Sequence, residues 1–67
     1  MDNIVLAIKE IQVKKRLYDT EIAESIGIAV TSWRRIKSGK FRYGRKFLDG
    51  AQKAFPDIFL PLNVTNQ

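Results

Sequence analysis

The sequence predicts an all-α domain of four to five short helices, and three observations carry that prediction. Apolar residues recur at helical spacing in four separate stretches. These stretches are punctuated by Gly27, Ser38-Gly39 and Pro56, residue types at which helices end. The chain has 67 residues, with no Cys for a disulfide and neither Cys nor His for a zinc site, so ordinary side-chain packing must supply the core. That length allows one domain, near the lower limit for folding without a staple. A hydrophobic content of 45%, with four Phe, two Tyr and one Trp, argues against a disordered basic tail.

The first helix follows from Ile4, Ile8 and Ile11, with Val5 beside them and Lys9, Glu10 and Gln12 on the opposite side. Asp2 is its candidate cap, and its end falls near Lys14 to Arg16. The second helix opens around Tyr18 or Asp19, where Asp19 reads as a cap for orphan backbone N–H groups and Glu21 suits the helix dipole. Ile22, Ala23 and Ile26 form its buried side, and Gly27 stops it. A third helix begins near Val30, holds apolar Val30, Trp33 and Ile36 at i, i+3 and i+6, and ends at Ser38-Gly39. Its cap position holds Ala29, a poor capping residue.

Residues 40–44 show no helical period and read as a loop. The fourth helix runs from about Arg45 to Phe55 with Phe47, Leu48, Ala51, Ala54 and Phe55 in one stripe, closed by Pro56. Gly50 interrupts that pattern. It either admits a neighbouring helix closely or simply weakens its own by about 1 kcal/mol relative to Ala. The tail from Asp57 to Gln67 is dense in apolar residues around Pro61, which fits either a fold back onto the core or a dimer contact. The initial Met and the short polar end are those expected of a whole protein.

The formal net charge is +5, and its distribution is more informative than its size. Seven of the twelve Lys and Arg lie between Arg34 and Lys46, and no acidic residue occurs between Glu24 and Asp49. Such a segment suits a polyanionic partner. There is no apolar run of about 18 residues for a membrane span, nor the basic-then-apolar order of a signal peptide. A cytoplasmic location is expected, and the Asn63-Val64-Thr65 triplet then has no glycosylation role.

The segment Ile22-Ala23-Glu24-Ser25-Ile26-Gly27-Ile28-Ala29-Val30-Thr31-Ser32-Trp33-Arg34-Arg35-Ile36-Lys37-Ser38-Gly39 combines a small residue, a turn glycine and buried apolar positions on both sides. Two short helices crossing steeply need those three things in that order. The segment resembles the helix-turn-helix family of lambda-type phage repressors, Cro proteins and Xre-like regulators. The likeness covers about Leu17 to Phe55 and is best at Ile22-Ala23, Ile26-Gly27-Ile28, Ile36 and Gly39. It departs at Trp33, where the family usually has Ile or Val, at Lys37, where Glu is common, and at Ala29, where Ser or Thr is common.

The resemblance implies a recognition helix in the major groove of double-stranded DNA, with Val30, Thr31, Ser32, Arg34 and Arg35 as base-reading candidates. Arg35 is the sharpest of these, because a guanidinium fork can pair with guanine O6 and N7. Lys37, Ser38, Lys40, Arg42, Arg45 and Lys46 are the backbone candidates, with Arg42 or Arg45 able to enter a narrow minor groove. Where the family often has a phosphate-contacting Gln, this chain has Asp19, which would repel phosphate.

Each of these residues also has a plainer reading. Trp33 shares a helical face with Ile36 and belongs to the core rather than to base stacking. Phe41 and Tyr43 are expected to pack over the fourth helix. Arg34 and Arg35 point about 100° apart, which leaves room for only one of them at the base edges. Lys14, Lys15 and Arg16 read as a solvated helix end.

The expected function is that of a repressor-like or Cro-like transcription regulator, acting as a homodimer on an operator, with no cofactor, no metal and no small-molecule substrate. The rival reading keeps the fold but makes it a protein-interaction module, antitoxin-like or repressor-modulating. An enzyme is disfavoured, since no His, Cys or paired carboxylates are available and neither Ser32 nor Ser38 has a base nearby.

Overall fold

In the computed structural model, which describes residues 3–59, the chain forms four α-helices followed by a single 3-10 turn. They are α1 (Asn3–Lys15), α2 (Asp19–Ile26), α3 (Val30–Ser38) and α4 (Arg45–Ala54), with the 3-10 turn at Pro56–Ile58. No strand occurs among the described residues, so the domain is all-α. The Asp2 cap and the tail beyond Phe59 lie outside the described residues.

Each helix contributes one apolar stripe to a shared core. Val5 and Ile8 enter from α1, Ile22, Ala23 and Ile26 from α2, Trp33 and Ile36 from α3, and Phe47 and Ala51 from α4. Trp33, Ile8 and Ile22 are the largest fully buried side chains. The Trp33 and Phe47 rings lie nearly parallel, with centroids 6.3 Å apart, and the Tyr43 ring packs on Phe47 with centroids 4.6 Å apart. Trp33 is therefore a core residue, as its spacing with Ile36 predicts.

The helix ends explain the short connections. Arg16, a non-glycine residue at φ 56°, follows α1 and turns the chain out of it, and the Leu17 N–H closes the end on the Gln12 carbonyl at 2.9 Å. α2 starts one residue after Tyr18, whose backbone N–H donates to Glu21 Oε1 at 2.8 Å. Gly27, at φ 91°, turns the chain out of α2 while its N–H and that of Ile28 both donate to the Ala23 carbonyl. A side chain with a Cβ is disfavoured in that left-handed conformation, so the glycine permits only Ile28 and Ala29 to separate it from α3.

Of the two roles open to Gly50, the structure selects close approach. An alanine Cβ there would stand 1.9 Å from the Ile26 carbonyl oxygen, so α4 rests its backbone directly against the last residue of α2. The described start of the tail also takes one of its two readings. Pro56 opens the 3-10 turn, and Ile58 and Phe59 pack partly buried against the domain's own core.

Candidate nucleic-acid interface

α3 is positioned by its inner face. Trp33 and Ile36 are buried, and Val30 is half-buried against the core. Val30 therefore gives part of its surface to packing rather than standing free as a base reader, because it shares the helical face of Trp33. Ser32 is also half-buried. Thr31, Arg34, Arg35 and Ser38 are exposed. Thr31, Arg35 and Ser38 are spaced i, i+4 and i+7, which aligns them in one outward stripe, with Arg34 beside it.

Within that stripe the side chains differ in what they touch. Ser38 Oγ donates to the Arg35 carbonyl at 2.9 Å. The Arg35 side chain has no hydrogen-bond or ion-pair partner among the described residues. Arg34 is engaged through Nε, 3.2 Å from Asp19 Oδ2, although its side chain stays 58% exposed. Adjacent arginines on one helix thus meet different surroundings, as their angular separation requires.

Lys37 departs most from expectation. Its Nζ lies 2.5 Å from Asp19 Oδ1 and 6.0 Å from the centre of the Trp33 ring, with the side chain only 30% exposed. Lys37 lies four positions after Trp33, so the lysine stem rises along the core-facing edge and its charge is directed to α2 rather than outward. Its charge is thus already matched by a carboxylate of the same domain.

Asp19 is correspondingly not a simple cap. It is the first residue of α2 and accepts from Lys37 and Arg34 on α3 and from Gln12 Nε2 on α1 at 2.8 Å. The bond from Lys37, then those from Gln12 and Arg34, hold its carboxyl well below the usual carboxylate range against the opposing effect of burial. Sequence reasoning missed this junction because its partners are 7, 15 and 18 residues away. The available signal was an acidic residue at a position facing a basic helix.

After α3 the chain turns at Gly39, and Lys40, Arg42, Arg45 and Lys46 are all exposed. Arg45 pairs with Asp49 one helical turn on, at 3.7 Å, but both side chains are largely in solvent, where such a pair is screened. Phe41 does not pack over α4 as expected. It is 51% exposed and, with Val5, Leu6, Lys9, Ile36 and Arg42, borders a cavity of about 740 Å³. Tyr43 takes the packing position on Phe47, because it lies closer to the start of α4. Lys14, Lys15 and Arg16 are exposed at the end of α1.

Among the described residues no group of three or more Asp or Glu side chains is arranged to hold a metal ion, and no helix is long and apolar enough to cross a membrane. Comparison with protein-family models, with curated proteins and with solved structures found no match to this chain.

Proposed function

We propose that this protein binds duplex DNA sequence-specifically as a helix-turn-helix regulator, with α2 and α3 as the helix pair and α3 as the recognition helix in the major groove. The observation that carries the reading is the division of α3 into two faces. One face is fixed in the core by Trp33 and Ile36, and the other presents Thr31, Arg34 and Arg35 to solvent on a short, rigid support. The exposed Lys40, Arg42, Arg45 and Lys46 follow directly and supply phosphate contacts, with no acidic residue between Glu24 and Asp49 and only the solvent-screened Asp49 pairing with Arg45. Arg35 is the principal base-reading residue, since its guanidinium is exposed and uncommitted.

One 67-residue unit offers one such helix, so operator-level affinity calls for a homodimer on two half-sites about 34–36 Å apart, the arrangement of a repressor-like or Cro-like regulator. The rival reading as a protein-interaction module draws support from Val13 and Phe41, large apolar side chains 78% and 51% exposed.

Selection from random-sequence duplexes tests the proposal directly. A bound motif is expected. Arg35→Ala should lose about 1–3 kcal/mol of discrimination at one base pair of that motif, with helicity intact. Lys40→Ala should weaken binding to all sequences together and reduce the salt slope by about 0.9. A selection that enriches no motif would overturn sequence-specific readout in favour of the interaction module.

A further inference from the structure

Asp19 places a negative charge beside the very helix that is read above as the DNA-facing element. Its carboxylate is 20% exposed and faces two of the three cations of α3, Arg34 at 3.2 Å and Lys37 at 2.5 Å, leaving Arg35. Gln12 on α1 donates to the same oxygen as Lys37 and fixes the carboxylate in place. Three helices meet at this one side chain. The Arg45–Asp49 pair lacks such support and is largely in solvent.

Sequence-independent affinity for a duplex grows with the number of phosphates a protein neutralises, and the salt dependence counts them at about 0.9 per contact. A cation already matched by a fixed carboxylate adds little to that count, and the carboxylate itself repels nearby phosphate. Specificity is the ratio of operator binding to binding of every competing site, so lowering the second raises the ratio.

We propose that Asp19 is a positioning and specificity-determining residue: it withholds Arg34 and Lys37 from the phosphate backbone, suppresses sequence-independent binding, and leaves Arg35 as the uncommitted cation of α3. This rests on reading α3 as DNA-binding. Asp19 would act through the cations it holds, without itself touching DNA. A purely structural role for the junction would loosen α3 and weaken all binding when the carboxylate is removed. The proposed role predicts the opposite sign for random duplexes.

The test compares the full chain with Asp19→Asn on a short random-sequence duplex, by fluorescence anisotropy between about 50 and 200 mM salt. Asn keeps the shape and an oxygen for Gln12 but loses the charge. The variant is expected to bind more tightly at low salt, with a plot of log affinity against log salt steeper by about 0.9 to 1.8, for one or two added phosphate contacts. Circular dichroism checks that it folds. A folded variant with an unchanged or shallower slope overturns the proposal.

Two single variants in the parent chain keep the question decidable if Asp19→Asn fails to fold. Lys40→Gln should lower the slope by about 0.9, and Lys37→Gln by less than half as much. Equal falls overturn the proposal. If the parent chain binds no duplex at all, the DNA-binding reading fails and this inference with it. Parent binding with no difference between the variants sinks the inference alone.

Discussion

Replacing Gly50 by alanine should destabilise this protein, although the same change in an isolated helix would stabilise it by about 1 kcal/mol. The sign reverses because of what lies opposite. The added Cβ would stand 1.9 Å from the Ile26 carbonyl oxygen and 2.9 Å from the Ile26 carbonyl carbon, both backbone atoms. Ordinary contact begins at 3.4 Å, so the shorter approach leaves 1.5 Å to be found at the α2–α4 contact. The Ile26 Cγ2 atom, at 2.8 Å, can turn aside, but the backbone cannot move without displacing the end of α2.

Overpacking of a core typically costs about 1–3 kcal/mol, and a backbone obstacle belongs at or above the upper end. Net of the propensity gain, about 2 kcal/mol or more should be lost. A domain of this length is stable by about 3–10 kcal/mol in all. The expected fall in melting temperature is about 8–16 °C, read by far-UV circular dichroism, with a matching fall in the urea midpoint. Gln52→Ala, exposed on the same helix, should change stability by less than about 0.5 kcal/mol. An unchanged or raised midpoint in Gly50→Ala would refute the close-approach argument.

The junction at Asp19 also predicts a response to acid. Its pKa is depressed in the folded state, so the unfolded chain binds the extra proton and the stabilisation is present above the unfolded value of about 3.9. It is lost as pH falls through the folded value. Asp19→Asn should therefore cost about 1–2 kcal/mol near neutral pH, with the gap to the parent closing below about pH 4. A gap of constant size from pH 7 to the acid limit would count against it.

At Trp33, the indole Nε1 is buried with no hydrogen-bond partner among the described residues. Trp33→Phe removes that donor, whose isolation costs about 1–3 kcal/mol, and so offsets part of the cavity it leaves. It should cost less than about 1.5 kcal/mol, against about 3–5 kcal/mol for Trp33→Ala. Equal losses in the two urea titrations would rule out this compensation.

The helices and the faces they bury are legible in residue order alone. Helical spacing is a local property, so Ile4–Ile8, Ile22–Ile26, Trp33–Ile36 and Phe47–Ala51 could be read directly, and Gly27, Gly39 and Pro56 marked the ends through backbone sterics alone. The basic segment after α3 was equally plain, because the surface position of Lys40, Arg42, Arg45 and Lys46 follows from charge.

Which cations remain available depends instead on how the helices pack. Arg34, Arg35 and Lys37 carry the same charge on one helix, and what separates them is a carboxylate brought from the start of α2 by the packing of three helices. Gly50 had two local meanings until α2 was seen to end against it. Phe41 and Tyr43 looked alike in the loop until Phe47 accepted one ring and not the other. In each case the deciding partner is distant in the chain or lies across a turn of irregular backbone, where no periodicity fixes which side chains meet.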